Sequence, residues 1–465
     1  MKIVILGAGR VGESVAESLV SEKNDITIID TDPAHLKTLQ DRIDLRGVAG
    51  NGINPSVLQQ AGIEDADIFI AAAQMDETNL VAAKLASKLF NVPDVIARVR
   101  STEFPGYQEL LGKDGFGVTH LICPEQSVTN YIENLIEYPE ALQILEFANG
   151  EVSLIGVRAY AGGPLVTHNL EEIPALVPGV GMRIVAIFRN ERAVGCEGYT
   201  RIEPGDEVFV MCETRHIRKV LGALRRMDKP VKRVMIAGGG NIGLRLARAI
   251  EKDYQIKIIE RNKKRCEYVA TQTASSTLVF NGDATDEDLL HDENVSEMDL
   301  FLALTNDDEN NIMSALLAKR LGARRTIALI NRKAYGDLMQ GSQIDVAISP
   351  AQAVIGELLQ HVRRGDVVSV HSLRRGAAEA LEAIAHGDAR TSKVVGCPST
   401  KLPLPKGAQL GAIVRYVGVQ ETATEILFPS ADVIIQPEDH LIFFLPSKRM
   451  IRDLEKLFQV GATFF

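Results

Sequence analysis

The chain is written twice, so its fold has to be one that can be laid down twice in succession. KIVILGAGRVGESVAESL, from Lys2, returns as RVMIAGGGNIGLRLARAI from Arg233. GNGINPSVLQQAGIEDADIFIAAAQMDETN, from Gly50, returns as GDATDEDLLHDENVSEMDLFLALTNDDENN from Gly282. CPEQSVTNYIENLI, from Cys123, returns as SPAQAVIGELLQHV from Ser349. The correspondence then passes into sequence of another kind. GMRIVAIFR from Gly181 parallels GAQLGAIVR from Gly407, and IEPGDEV from Ile202 parallels IQPEDHL from Ile435.

Within each copy, short runs rich in Val and Ile alternate with helical patterns. In the first copy the runs are Lys2–Leu6, Ile26–Asp30, Gly47–Ala49, Asp67–Ala73, Val95–Arg98 and His120–Ile122, with amphipathic segments such as Asn79–Leu89 between them. This alternation predicts an α/β lobe, a doubly wound parallel sheet with helices on both faces. Glu151–Arg158, Met182–Arg189 and Glu207–Cys212 then read as strands joined by Gly, Pro and Asn turns, with a closing helix over Thr214–Leu224. That is a small α+β lobe. The expected lobes are 1–139, 140–227, 231–364 and 365–465, with linkers near Pro139, Lys229-Pro230 and Gly365.

Gly7-Ala8-Gly9-Arg10-Val11-Gly12 fits GxGxxG after a strand and before a helix. In such a turn the first glycine allows the bend, the second admits a pyrophosphate, and the third lets helix and sheet close up. The helix N-terminus offers free N–H groups to phosphate. Asp30 ends the next strand, near the offset expected for an acid that binds ribose hydroxyls. The second copy has Gly238-Gly239-Gly240-Asn241-Ile242-Gly243 and then Glu260. A carboxylate there repels a 2′-phosphate, which favours NAD(H) or another adenosine nucleotide over NADP(H). Arg261, beside Glu260, reads either as a stacking partner for adenine or as a solvated side chain.

Further candidates sit at strand ends: Asn51 and Asp283 after the third strands, Ala73-Gln74 and Thr305-Asn306 after the fourth, and Arg98 ending the fifth. Aligning VIARVRS with TIALINR puts Leu329 where Arg98 stands, so the two pockets are expected to differ.

Catalytic groupings are missing from this pattern. The nine histidines are scattered, and neither a GxSxG elbow nor a P-loop is present. The acidic run TNDDENN, from Thr305, reads as helix capping by Asp307 and Asp308 rather than a metal site. A net charge of −10 argues against nucleic acid as a partner, and the basic stretch Arg215 to Arg233 reads as a solvated helix face and linker. Five cysteines without a CxxC pair fit a reducing cytoplasm. The start runs straight into a strand, and no apolar run approaches the ~20 residues of a membrane helix. Two nucleotide pockets without chemistry beside them point to sensing rather than turnover. The alternative is an NAD-dependent oxidoreductase.

The pattern IVILGAGRVG…IID…AAAQMDETN…IARVR…CPEQ resembles the RCK (KTN) domain of potassium-channel regulators. The lobe ending I-x-P-x-D is similar to its companion, the RCK-C domain. Two such pairs in one chain resemble the peripheral regulatory subunits of bacterial Trk-type potassium uptake systems, over nearly the whole length. The resemblance implies a homo-oligomer, a tetrameric ring under a membrane channel of the TrkH type. It implies that NAD(H), ATP and ADP bind the glycine turns and gate the channel. Carried over by position, the first site is Gly7, Ala8, Gly9, Arg10, Val11, Asp30, Ala73, Gln74 and Arg98. The second is Gly238, Gly239, Gly240, Asn241, Ile242, Glu260, Thr305 and Asn306. This sequence departs from the family at Asn51, where an acid is typical, and at Leu329, where a basic residue is. The helices Glu125–Glu137 and Ala351–Val362 carry apolar stripes that need a covering surface, expected at a contact between neighbouring lobes.

Overall fold

The computed structural model describes residues 1–20, 24–101, 104–190, 192–338, 343–362, 367–373, 378–417 and 423–458. The expected linker at Gly365 lies outside them.

The first lobe runs β1 (Lys2–Leu6), α1 (Arg10–Val20), β2 (Asp25–Asp30), α2 (Pro33–Gln40), β3 (Arg46–Ala49) and α3 (Pro55–Gln60). It continues with β4 (Ile68–Ala71), α4 (Asp76–Lys88), β5 (Asp94–Arg98), α5 (Gln108–Leu111), β6 (His120–Ile122) and α6 (Pro124–Glu137). Its sheet has the order β3-β2-β1-β4-β5-β6, all parallel. In β1, Ile3 through Leu6 are all buried, because a central strand covered on both faces reads as a continuous apolar run. Chain direction across the sheet reverses between β1 and β4, and this is where the carboxyl ends open a crevice.

A small lobe follows: β7 (Ala141–Phe147), β8 (Val152–Arg158), α7 (Ile173–Leu176), β9 (Met182–Arg189), β10 (Arg192–Val194), β11 (Glu207–Glu213) and α8 (Ile217–Leu224). The closing helix therefore begins later than the sequence suggests; Thr214–His216 form a 3-10 turn first. β7 and β10 are additions to the sequence reading. β7 is ALQILEF, whose Ala, Leu, Gln and Glu favour helix locally. Pairing to β8 overrides that preference.

The second copy repeats the plan. Its larger lobe is β12 (Arg233–Ala237), α9 (Asn241–Ile250), β13 (Gln255–Glu260), α10 (Lys263–Gln272), β14 (Leu278–Asn281) and α11 (Glu287–Asp292). Then come β15 (Leu300–Ala303), α12 (Asp308–Arg320), β16 (Arg325–Leu329), α13 (Lys333–Leu338), β17 (Val346–Ile348) and α14 (Pro350–Val362). Its small lobe is β18 (Val367–Leu373), β19 (Ala378–Ile384), β20 (Gln409–Val417), β21 (Ala423–Leu427), β22 (His440–Leu445) and α15 (Ile451–Phe458). The sheet orders β14-β13-β12-β15-β16-β17 and β18-β19-β22-β20-β21 match those of the first copy strand for strand. The α/β fold class with paired small α+β lobes is therefore present in both copies.

The I-x-P-x-D signature now has a physical cause. Asp206 takes both Nε and Nη2 of Arg189 at 2.9 Å and the N–H of Glu203 at 2.8 Å. Asp439 takes Arg415 in the same way at 2.8 Å and the N–H of Gln436 at 2.7 Å. Each acid is almost fully buried and pins a turn to a strand through a planar fork.

By compactness the chain divides by kind of lobe rather than by copy. One unit is Met1–Asn130 with Arg233–Leu358, the other Tyr131–Lys232 with Leu359–Phe465. In the second unit the two small lobes share one core, where Phe209 lies 5.9 Å from Phe444. The buried Glu382 accepts the N–H of Ala148 there at 2.9 Å.

The apolar stripes on α6 and α14 are already covered. Val128, Ile132, Leu135, Val354, Leu358 and Leu359 are all buried within the single chain. The cover these stripes need is thus found within the chain itself. Among the described residues, no helix is long and apolar enough to cross a membrane.

Candidate functional site

The two glycine turns are built alike. Gly7 and Gly238 bend the chain at φ of +98° and +108°, a region that favours glycine. A Cβ on Gly12 would stand 1.8 Å from the Gly7 carbonyl oxygen, and one on Gly243 2.0 Å from that of Gly238. Only glycine permits so close an approach of helix to turn. At Gly9 and Gly240 an added Cβ meets nothing within 4 Å. These two positions face open space at the N-termini of α1 and α9.

Each turn also grips its acid. Ala8 N–H donates to Asp30 Oδ2 at 2.7 Å, and Asp32 N–H to Asp30 Oδ1 at 3.0 Å. Gly239 N–H donates to Glu260 Oε2 and Asn262 N–H to Glu260 Oε1, both at 2.8 Å. A carboxylate has about four acceptor sites, so lone pairs remain for a ribose diol. On the other side of the turn, His35 Nε2 lies 2.8 Å from the Ala8 carbonyl, and Arg265 Nε donates to that of Gly239 at 2.7 Å.

The strand-end loops are fixed by three residues the sequence reading passed over, Asn79, Asn311 and Asp76, and by Asp308, which it took for a helix cap. Asn79, fully buried, accepts the N–H of Ala73 and donates to the carbonyls of Ala73 and Arg98. Asn311 does the same for Thr305 and Leu329. Asp76 receives the N–H groups of Arg100 and Ser101, and Asp308 those of Asn331 and Arg332. Asp307 caps α12 through Asn310 N–H, as expected. Asp308 does not; it reaches across to the loop after β16. The signal for all four was available, since each stands at a matched position of the repeat.

The first and second glycine turns line a single cavity of about 1750 Å³. Pockets for one small ligand run to roughly 300–1,000 Å³, so there is room for more than one nucleotide. Every predicted site residue lines this cavity except Ala8 and Gly239, whose N–H groups are spent on the acids. Asn51 closes its own turn onto Ile53 N–H. Asp283 is held below the usual carboxylate range by the N–H and hydroxyl of Thr285. Arg261 is mostly exposed and stands 3.8 Å from Asp283.

The two halves of the cavity differ in charge. Arg98 Nη2 donates to Glu125 Oε1 at 3.1 Å, and Arg100 Nε lies 3.5 Å from the same oxygen. Both partners of the Arg98–Glu125 pair are largely buried, each side chain 11% exposed. Burial pushes the Arg98 guanidinium down from the usual arginine value, and Glu125 acts against this. Its Nε is buried without an acceptor. At the matched positions of the second copy stand Leu329, Asn331 and Ala351. At these three matched positions, then, two cations and one anion stand in the first half and uncharged groups in the second, although Arg261, Lys264, Arg265, Asp283 and Asp307 also line the second half. Among the described residues, no group of three or more His, Cys, Asp or Glu side chains is placed to hold a metal ion.

Comparison with known proteins agrees with this layout. The TrkA-N domain model matches residues 3–124 and 234–350, and the TrkA-C domain model matches residues 154–225. The chain is 51% identical to the Trk system potassium uptake protein TrkA of Halomonas elongata over the full length of both. It is 50% identical to the protein of the same name from Vibrio alginolyticus, again over both full lengths. Among solved structures, the GsuK channel bound to NAD superposes with a TM-score of 0.60 at 17% identity, covering 98% of this chain and 78% of that one. At that identity the likeness shows the fold alone.

Proposed function

The chain belongs to the TrkA family of Trk-system potassium uptake proteins, and from that premise we propose that it is a nucleotide-sensing regulatory subunit. In this reading each glycine turn takes an NAD(H) or adenine nucleotide, ATP or ADP, with no chemical turnover. Occupancy then gates a TrkH-type potassium channel. The protein works in the cytoplasm on the inner membrane face, as a homo-oligomeric, tetrameric ring that meets the bilayer only through that partner. The four lobes are those delimited above, and the paired glycine turns are their working parts.

One observation carries the reading: two intact turns, each with its acid in hand, open on one cavity whose halves differ in charge at three matched positions. The residues fit the ligand class. Gly9 and Gly240 leave space where a phosphate would sit, against helix N-termini that favour anions. Asp30 and Glu260 would take the adenine ribose. Arg98 and Arg100 suit an extra anionic phosphate in the first half. Leu329 and Ala351 suit an uncharged ring in the second.

Gly9→Asp and Gly240→Asp test this. A Cβ added at either position meets no protein atom within 4 Å, so the substitution is expected to act on the ligand rather than on the fold. Titrated by calorimetry, Gly9→Asp should lose most ATP heat, and Gly240→Asp most NADH heat. Identical profiles in the two variants would contradict the charge argument. Nucleotide binding unaltered by both would contradict the site.

A further inference from the structure

We propose that Arg245 couples the two pockets by tying the phosphate-facing helix of the second to the charged rim of the first. The inference rests on reading both turns as nucleotide sites. Arg245 lies one turn into α9, directly behind Gly240 and Asn241. Its Nη2 donates to the carbonyl of Arg100 at 2.9 Å. Its Nη1 meets Cys123 Sγ at 3.0 Å and Gln126 Oε1 at 3.3 Å. All three partners belong to the first larger lobe, and all three adjoin Glu125: Cys123 and Gln126 flank it in sequence, and the Arg100 side chain reaches its carboxylate.

The rim is itself tightly bound. Arg100 N–H is held by Asp76 at 3.0 Å, and the side chains of Arg98 and Arg100 converge on Glu125. A planar guanidinium can hold several acceptors in one rigid geometry, which an ammonium cannot. Any shift of α9 when an anion settles on its first turn is therefore carried through Arg245 to Arg100 and the cation pair. The matched position on α1 is Ser14, whose side chain has no such reach. The device is built on one side only, although a coupling between binding free energies acts equally in both directions.

The test uses the full chain, with NADH and ATP as calorimetric probes. First-pocket binding is the part of the heat that Gly9→Asp removes. It is measured with the second pocket open and with it closed by Gly240→Asp, in three backgrounds: Arg245, Arg245→Met and Arg245→Lys. Closing the second pocket should change first-pocket affinity by about fivefold or more when Arg245 is present, the lower end of ordinary allosteric coupling. The change should fall below about twofold in Arg245→Met and lie between in Arg245→Lys, which keeps charge and stem but not the fork. If Arg245→Met fails to fold, the Lys chain carries the comparison. An equal change in all folded backgrounds, or none with Arg245 intact, overturns the coupling. Absence of nucleotide heat from every chain would instead overturn the nucleotide reading, and the coupling with it.

Discussion

At the scale of single residues, the candidate site depends on side chains that do not line its cavity. Asn79 and Asn311 face no solvent and spend their amides on the backbone of the strand-end loops. Replacing one by alanine leaves a buried N–H and two carbonyls unpaired. Losing such partners costs about 1–3 kcal/mol. Asn79→Ala should therefore lower unfolding free energy by about 2 kcal/mol in urea and weaken first-pocket binding at the same time. Unchanged stability would show that water replaces the amide. Neither asparagine stood out in the sequence, where the eye goes to glycines and acids. Asp30 and Glu260 did stand out, because their spacing from the turn follows from chain geometry alone.

Among elements, what was legible depended on how far local pattern and burial agree. β4 throughout, and β1 and β12 after their leading Lys2 and Arg233, are apolar because both faces are covered, and their sequence runs announce them. β7 has helix-forming residues and is a strand only because β8 lies beside it. The stripes on α6 and α14 were visible, but a stripe does not say what covers it. Here the cover is in the same chain. Glu357 on α14 is a consequence of that packing. Burial raises its carboxyl above the usual value, and Ser127 on α6 donates to it at 2.5 Å. A raised value means the ionised form is penalised in the fold. No penalty exists well below the unfolded value, and it grows as pH rises through the folded one. Glu357→Gln, which still accepts from Ser127, should raise the melting temperature at neutral pH. Its advantage should vanish near pH 4. A variant less stable at neutral pH would indicate that the carboxylate has a partner worth more than its desolvation.

For the whole molecule, duplication explains why the parts differ. Two copies with the same strand orders hold two glycine turns on one cavity. Once duplicated, the halves were free to diverge. The first keeps Arg98, Arg100 and Glu125, while the second has Leu329, Asn331 and Ala351. The sequence reading noticed the first of these exchanges. The other two became visible only when the fold brought them to the same rim, since residues distant in sequence declare a shared role only in space. A nucleotide can shift such a molecule only through unequal affinity for two of its shapes. The most direct measurement is potassium flux through a TrkH-type channel in sealed vesicles, with this protein added on the cytoplasmic side and NADH or ATP varied. The account predicts flux that depends on the protein and on which nucleotide is present, and that loses its nucleotide response in the Gly9→Asp, Gly240→Asp double variant. Flux indifferent to nucleotide while both pockets are filled would contradict it.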